Sequence, residues 1–247
     1  MTKDIVLEIW GELACFTRPE CKVERLSYPI PTPSAIRGVL NAIYNKPEEF
    51  YWQVTEIEVL KPIKFISFKR NEVKGKIDTQ FNIIYADSTD EKDKSKGRTQ
   101  RQTTMLKDVW YRITANIEIL QKDKITENQI YEQAIRRIEN GKCYYQPYLG
   151  TRECVAYFGT KRQNYRSLGE ATKESIEYFD EKNQIQSPIN ESLDIGLMLY
   201  DVFDITKYTK PKDVKPFITL FYAKMNKGII YIPKFNDDSV IKPTRRV

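Results

Sequence analysis

The sequence predicts an α+β fold in which an antiparallel sheet packs with two helices. Two observations carry this prediction. Apolar and polar residues alternate in several segments, most regularly over 109–119, and this period of two is that of a half-buried strand. Two other segments place apolar residues at helical spacing directly after recognisable helix starts.

The first strand is predicted over 4–10, where Ile5, Leu7 and Ile9 fall on one face. Prolines keep the segment that follows, 17–31, extended. This loop is basic, and its cations are Arg18, Lys22 and Arg25.

The first helix begins at Thr32-Pro33, where a capping hydroxyl precedes a proline at the first helical position. An apolar stripe at helical spacing consists of Ile36, Val39, Leu40 and Ile43. Arg37, Asn41 and Tyr44 form a second stripe with the same spacing, and Pro47 ends the helix. The pattern predicts that Tyr44 lies at the polar end of this helix.

Two further strands are predicted over 53–60 and 63–68. Residues 87–104 have no apolar periodicity and carry dense charge of both signs, which indicates a mobile loop within the region 70–104. The long alternating segment 109–119 then gives a central strand.

A second helix is predicted to begin at Thr126, with Gln129 three residues later as its capping-box partner. Its buried stripe is Ile130, Ala134 and Ile138. Gly141 ends the helix, and another strand is predicted over 148–158.

The order of strand, helix, strands, helix and strand is typical of a ferredoxin-like domain, the arrangement that RRM-type RNA-recognition folds share. We predict that this domain spans 1–203, with a second mobile loop at 159–192 and a strand at 193–203. A small antiparallel β appendage is predicted over 204–247, built on a hairpin of strands 215–223 and 228–233.

Composition excludes several classes of protein. The chain has no histidine, which rules out imidazole-based triads and HExxH zinc sites. It contains neither a P-loop nor a GxGxxG loop, so no cofactor and no metal are expected. Four cysteines without a CxxC pair predict a reduced, cytoplasmic protein, and the longest apolar runs are too short for a membrane span. A net charge of +6 and 16 tyrosines favour an anionic partner with stackable bases.

Two blocks of the sequence resemble a known family. They are 10–47, WGELACFTRPECKVERLSYPIPTPSAIRGVLNAIYNKP, and 146–154, QPYLGTREC. Both are similar to the CRISPR-associated family of the fifth Cas protein of subtype I-C (the Dvulg subtype), in the RAMP superfamily. The resemblance extends loosely over nearly the whole chain.

The resemblance implies a subunit of a type I-C CRISPR surveillance (Cascade) complex. Such a subunit binds the repeat-derived 5′ handle of CRISPR RNA and contacts the backbone and large subunits of the complex, which holds target DNA. It also implies a metal-independent endoribonuclease that cuts the repeat hairpin of precursor CRISPR RNA. The 2′-hydroxyl then attacks the neighbouring phosphate and leaves a cyclic phosphate and a 5′-hydroxyl.

Candidate site residues follow from charge together with this resemblance. Tyr44, in AIYNKP, matches the tyrosine of the family's ribonuclease site. Gly150, at the entrance to the predicted strand, could allow close backbone approach to a ligand. The candidate RNA contacts are Arg18, Lys22, Arg25, Arg37, Lys46, Arg136, Lys142 and Arg152. We expect these cations to converge on one face of the sheet.

One departure from the family leaves the activity open. Where many members carry a Lys-His pair, this chain has Gln129 and Ile130, and neither transfers a proton at neutral pH. Lys122 or Lys124 could substitute as a cation. The alternative is a non-catalytic RNA-binding and assembly subunit. A protein-interaction module without RNA is a third reading, favoured if the basic loops pair with acidic segments of the same chain.

Overall fold

The computed structural model describes residues 3–21, 23–74, 97–121, 125–160, 186–207 and 215–243. Within these ranges the chain forms strands and two helices, so the predicted α+β class is confirmed. The strands are β1 (Asp4–Ala14), β2 (Arg25–Leu26), β3 (Phe50–Val59), β4 (Phe65–Val73), β5 (Arg98–Ile119), β6 (Tyr157–Gly159), β7 (Leu193–Asp201), β8 (Thr219–Met225) and β9 (Ile229–Tyr231). The helices are α1 (Pro33–Ile43) and α2 (Glu127–Glu139), and neither is long and apolar enough to cross a membrane.

The sheet is built on β5, a strand of 22 residues. Its second half lies between β1 and β3, and both pairings are antiparallel. The strand order is β6-β1-β5-β3-β9, with β6 and β9 antiparallel to their neighbours. The first half of β5 pairs with β4 and, over two residues, with β2. β5 therefore connects the central sheet to a ribbon of two strands, the β4–β5 ribbon.

One face of the central sheet is apolar and packs against both helices. Ile5, Leu7 and Ile9 of β1 are fully buried, as the alternating pattern predicted. The predicted stripe of α1 is buried, and its members are Ile36, Val39, Leu40 and Ile43. The predicted stripe of α2 is also buried, and its members are Ile130, Ala134 and Ile138.

Both helices begin where the capping patterns predicted. The Thr32 hydroxyl accepts a hydrogen bond from the amide of Ala35 at 3.1 Å. The Gln129 side chain accepts one from the Thr126 amide at 3.0 Å, and the Gln129 amide donates to the Thr126 hydroxyl at 3.4 Å. Gln129 therefore has a structural role as a capping partner.

Part of the mobile loop predicted within 70–104 is strand instead. β4 extends to Val73, and β5 begins at Arg98, so residues 70–73 and 98–104 pair in the β4–β5 ribbon. The dense charge misled the prediction because both strands of this ribbon are partly exposed and tolerate polar side chains on both faces. Residues 75–96 lie outside the described ranges, as do 161–185 of the second predicted loop.

The strand predicted over 148–158 is mostly a turn. Only Tyr157–Gly159 forms a strand, and Tyr148 pairs with Val155 in an isolated bridge. Gly150 lies between them with a φ of 89°, which an extended strand does not allow. We refer to residues 146–154 as the Gly150 turn.

The C-terminal segment is part of the main structure and not an appendage. The predicted turn exists, with Lys227 and Gly228 both at positive φ, but its two strands diverge. β8 pairs with β7, whereas β9 pairs with β3 at the edge of the central sheet. Each strand buries its apolar residues in the core, including Phe221 of β8 and Ile230 of β9. Burial of two apolar faces overrides the local preference for a hairpin.

The other face of the central sheet carries a buried ion-pair cluster. Arg112 of β5 lies in register with Glu8 of β1 and Glu58 of β3. Its guanidinium is 2.9 Å from the Glu8 carboxylate and 2.5 Å from the Glu58 carboxylate. It also donates to the carbonyl of Gln186 at 2.8 Å. Arg112 and Glu8 are 3% and 2% exposed, so this cluster fastens three strands and the segment before β7.

We expect Arg112→Met to lower the free energy of unfolding by about 3–5 kcal/mol, because two buried carboxylates lose their cation. Urea denaturation monitored by tryptophan fluorescence measures this change. Arg101→Met is the control, since Arg101 pairs with Glu72 across 3.7 Å at a partly exposed site and should cost about 1 kcal/mol or less. Equal losses in the two variants would contradict the assigned role of the cluster.

Candidate nucleic-acid interface

The Gly150 turn packs directly on the end of β1. The Cys15 amide donates to the Leu149 carbonyl at 2.9 Å, and the Leu149 amide donates to the Cys154 carbonyl at 2.7 Å. A Cβ atom on Gly150 would lie 2.0 Å from the Cys15 carbonyl oxygen. Glycine is therefore required here for close backbone approach, but the group that approaches is the chain's own backbone and not the predicted ligand.

The C-terminal end of α1 is capped by groups from other segments. The carbonyl of Ala42 accepts from the amide of Tyr144 at 2.7 Å. The carbonyl of Tyr44 accepts from the indole of Trp52 at 2.9 Å. Helix ends leave such carbonyls without intrahelical partners. These bonds bring Tyr144, just before the Gly150 turn, next to the end of α1.

Arg37 forms a bidentate ion pair with Asp201. Its Nε and Nη2 atoms lie 2.7 Å and 2.8 Å from the two carboxylate oxygens, and the Asp201 side chain is 1% exposed. The pair links α1 to β7. The charge of Arg37 is thus largely neutralised within the chain, which weakens its candidacy as a phosphate contact.

Arg18 lies on the same side of the molecule as Arg37. Its guanidinium lies 4.5 Å from the centre of the Tyr28 ring, and the Tyr28 hydroxyl accepts from the amide of Leu199 on β7 at 3.3 Å. Arg37 contacts β7 two residues further on. Arg18 also pairs with Glu20 at 3.7 Å.

Tyr145 connects Arg37 to Arg152. Partial burial raises the pKa of its hydroxyl, as does Tyr148, while the positive charges of Arg37 and Arg152 lower it. Both arginines therefore lie close enough to Tyr145 to act on it electrostatically. Arg37 and Arg152 thus share an electrostatic effect on Tyr145, whereas Arg18 is linked to Arg37 only through Tyr28 and β7.

Arg25 belongs to an ion-pair network between the β4–β5 ribbon and the Gly150 turn. The Glu153 carboxylate lies 3.0 Å from Arg25 and 2.7 Å from Arg70. Partial burial raises the pKa of Glu153, but the hydrogen bond from Arg70 and the surrounding positive charge outweigh it and lower the pKa. Arg25 also borders an open groove of about 490 Å³ that includes Lys69 and Arg101. Glu153 therefore holds the Gly150 turn to the β4–β5 ribbon.

Tyr44 is more buried than its position in the sequence suggested. It is 6% exposed, and its ring lies 5.6 Å from that of Phe50. Burial raises the pKa of the hydroxyl above its ordinary value, and the charges of Lys46 and Arg137 oppose this only in part. A tyrosine hydroxyl is protonated at neutral pH even at its ordinary pKa, and burial makes that of Tyr44 a weaker acid, which Lys46 and Arg137 counteract.

Sequence reasoning missed Arg137 and Tyr144, which surround Tyr44. The Arg137 guanidinium lies 5.5 Å from the centre of the Tyr44 ring and 4.7 Å from that of Tyr144. Its Nη1 atom donates to the carbonyl of Ile43 at 3.2 Å. The helical spacing could have indicated that Arg137 is partly buried. Arg137 follows Ala134 by three positions, so it borders the buried stripe of α2.

The remaining candidates lie around this region or outside the described chain. Lys46 pairs with Glu49 at 3.0 Å. Arg136 is exposed and contacts only Gln133 among the described side chains, and Lys142 and Arg152 are exposed. Lys22, Lys122 and Lys124 lie outside the described residues.

That these cations share one face of the sheet stays a prediction. The face opposite the helices carries Arg112 between two glutamates. Arg37 lies on α1, whereas Arg25 belongs to the network between the β4–β5 ribbon and the Gly150 turn. Among the described residues no group of three or more acidic or cysteine side chains could hold a metal ion.

Comparisons with known proteins point to a family of CRISPR-associated proteins. A family model described as CRISPR-associated protein (Cas_Cas5), of the Cas5d kind, matches residues 4–233. The chain is 36% identical over 260 residues to a protein of Mannheimia succiniciproducens named CRISPR pre-crRNA endoribonuclease Cas5d, covering 97% of this chain and 99% of that protein. A protein of the same name from Thermus thermophilus is 41% identical over 152 residues, 62% of each chain. A crystal structure titled as a CRISPR-associated protein superposes with a TM-score of 0.58 at 21% identity over 97% of both chains, a likeness of fold.

We expect Gly150→Ala to lower the free energy of unfolding by about 3 kcal/mol, the upper range for a residue forced into an unfavourable backbone region. The new methyl group meets backbone atoms of Cys15 and Phe16, which cannot move aside easily. Thermal unfolding followed by circular dichroism measures the change. Gly141→Ala is the matched control: its φ is also positive, but no atom lies within 4 Å, so a loss of about 1 kcal/mol is expected.

Proposed function

The chain belongs to the Cas5d family of CRISPR-associated proteins, and on that premise we propose that it binds and processes precursor CRISPR RNA as a subunit of a type I-C surveillance complex. The observation that carries the proposal is the Tyr44 site. A buried, protonated tyrosine hydroxyl with two cations acting on it lies in a chain that matches Cas5d over nearly its full length.

The strand order supports a ferredoxin-like assignment for the core. β1, α1, β3, β5, α2 and β6 follow one another along the chain, and the four strands occupy the sheet in the order β6-β1-β5-β3. This is the split βαβ arrangement with each central strand antiparallel to its neighbours. Its helices and connecting loops, not its open sheet face, would provide the RNA surface.

The proposed reaction needs an acid at the leaving 5′-oxygen and positive charge at the phosphate. Tyr44 meets the first need because its hydroxyl is protonated at neutral pH, and the charges of Lys46 and Arg137 favour release of its proton. Lys46 supplies charge, and its hydrogen bond to Glu49 raises the pKa of its ammonium group. Both groups hold their protons at neutral pH and fit the role of donors. Neither group can then accept the proton of the attacking 2′-hydroxyl. We therefore propose that activation of the 2′-hydroxyl limits the rate and that cleavage is slow and independent of metal.

The proposed RNA surface centres on residues 136–152. Arg18, Arg25, Arg37 and Lys46 each have a carboxylate partner within the chain, as a protein-interaction module without RNA would also have. Arg136, Lys142 and Arg152 are exposed, and no ion pair involves them among the described residues. Arg152 acts electrostatically on Tyr145, and the Lys142 amide donates to the carbonyl of Arg137, the residue that follows Arg136. We propose that these three cations make the main phosphate contacts.

A non-catalytic RNA-binding and assembly subunit is the second candidate. Ile130 is fully buried and Gln129 is occupied as a capping partner, so neither position of the family's Lys-His pair can transfer a proton here. In either case the proposed partners are the repeat hairpin and 5′ handle of CRISPR RNA, the backbone and large subunits, and target DNA held by the complex. The proposed location is the cytoplasm, which the four free cysteines fit.

Tyr44→Phe is expected to reduce cleavage of the cognate repeat RNA in EDTA by about 10²-fold or more, the usual contribution of a general acid. Affinity for the RNA should stay within about twofold, because the ring and its packing remain. Single-turnover gel assays give the rate, and fluorescence anisotropy gives the affinity. Cleavage unaffected by Tyr44→Phe would show that the catalytic site is elsewhere, and undetectable cleavage by the unmodified protein would favour the assembly subunit.

Binding of the repeat RNA is expected to weaken steeply with salt. Three to four phosphate contacts give a slope of about −2 to −3 in a plot of log affinity against log salt. Arg152→Ala should make the slope shallower by about 0.7, whereas Lys234→Ala, which removes a cation paired with Glu118 beyond the end of β9, should leave it unchanged. A slope near zero for the unmodified protein would exclude the RNA function.

A further inference from the structure

We propose that Arg137, held between the rings of Tyr44 and Tyr144, contacts the scissile phosphate of the RNA. This inference rests on the proposed function and assigns a residue to it. The guanidinium lies 5.5 Å from the Tyr44 ring centre and 4.7 Å from the Tyr144 ring centre. Two aromatic contacts of this kind fix the plane of a guanidinium group.

The charge of Arg137 has no counter-ion in the described chain. Other partly or fully buried arginines each lie within 4 Å of a carboxylate, and they are Arg18, Arg25, Arg37, Arg70, Arg101 and Arg112. Arg137 is half-buried as they are, yet no ion pair forms with it among the described residues. A partly desolvated cation without an anion is unfavourable, which points to an anion that arrives from outside the chain.

The hydrogen-bonding state of Arg137 supports the same conclusion independently. Its Nη1 atom donates to the Ile43 carbonyl at 3.2 Å. Its Nε atom is buried and has no hydrogen-bond partner among the described residues, which is also true of Arg18 and Arg70, whose charges are paired with carboxylates. A buried donor left without a partner is rare in folded proteins, and a guanidinium with free donors matches the geometry of a phosphate.

The surroundings leave the site open to RNA. Tyr144 is 65% exposed, so its ring borders solvent while it packs on Arg137. The Tyr44 hydroxyl lies within the electrostatic reach of Arg137, whose charge acts to lower its pKa. A phosphate bound by Arg137 would therefore lie beside the proton donor of the proposed reaction.

The role of Arg137 in the proposed step is electrostatic. The bond between the 2′-oxygen and phosphorus forms as the bond between phosphorus and the 5′-oxygen breaks. The 2′-hydroxyl proton passes to solvent, and the 5′-oxygen takes a proton from Tyr44, which regains one from water. Arg137 stabilises the negative charge that accumulates on the phosphoryl oxygens.

Two substitutions test this assignment. Arg137→Met fills the space between the rings without charge, and Arg137→Lys retains the charge without the planar fork. The probe is the cognate repeat RNA with a 2′-deoxy nucleotide at the cleavage site, which binds but cannot be cut, and the unmodified repeat reports cleavage in EDTA. Lys234→Ala is the control for loss of one positive charge, and circular dichroism establishes that each variant is folded.

We expect Arg137→Met to make the salt slope of 2′-deoxy RNA binding shallower by about 0.7 and to slow single-turnover cleavage by about 10²-fold or more. Arg137→Lys should keep the salt slope but still cleave at least about tenfold more slowly. Unchanged slope and rate in Arg137→Met, with RNA binding intact, would overturn this inference alone. Failure of the unmodified protein to bind the RNA would overturn the proposed function as well. Should Arg137→Met fail to fold, the rate of Arg137→Lys decides: a rate equal to that of the unmodified protein refutes the assignment.

Discussion

The arrangement of the candidate site depends on backbone contact between the Gly150 turn and the end of β1. Cys15 and Leu149 are joined by a hydrogen bond of 2.9 Å, and Gly150 leaves no room there for a side chain. This contact fixes where residues 142–154 lie relative to α1. Tyr144 can then cap α1, and Tyr145 lies near Arg37. Had the turn carried a side chain at 150, the tyrosines and cations on either side would be displaced together.

Electrostatics divide the cations of this chain into two groups with different physical roles. Arg25, Arg37 and Arg112 are bound to carboxylates of the same chain and hold separate segments together. Partial burial strengthens these pairs because solvent screens them less. The cations along 136–152 have no such partners among the described residues. The first group stabilises the framework, and the second leaves positive charge available to a polyanion.

The face of the sheet opposite the helices holds a buried ion-pair cluster that stabilises the fold. Arg112 neutralises Glu8 and Glu58 there, and removal of the cation would leave two buried carboxylates uncompensated. The same face also carries the rings of Trp10, Trp110 and Tyr157. The centre of the Trp10 ring lies 6.1 Å from that of Trp110 and 6.2 Å from that of Tyr157. On the helix side, the rings of Tyr44 and Tyr144 lie beside the positive charge of Arg137.

The sequence by itself determined the elements whose stability is local. The caps at Thr32 and Thr126, the apolar stripe of α1 and the alternation along β5 depend on neighbours within a few residues, so their patterns predicted them correctly. Only the tertiary structure decided which cations are free. Arg37 and Asp201 are separated by 164 positions, and Arg25 and Glu153 by 128, so no local pattern reveals these pairs. Long-range packing also decides that β8 and β9 pair with different strands. It likewise places Arg137 against the rings of Tyr44 and Tyr144.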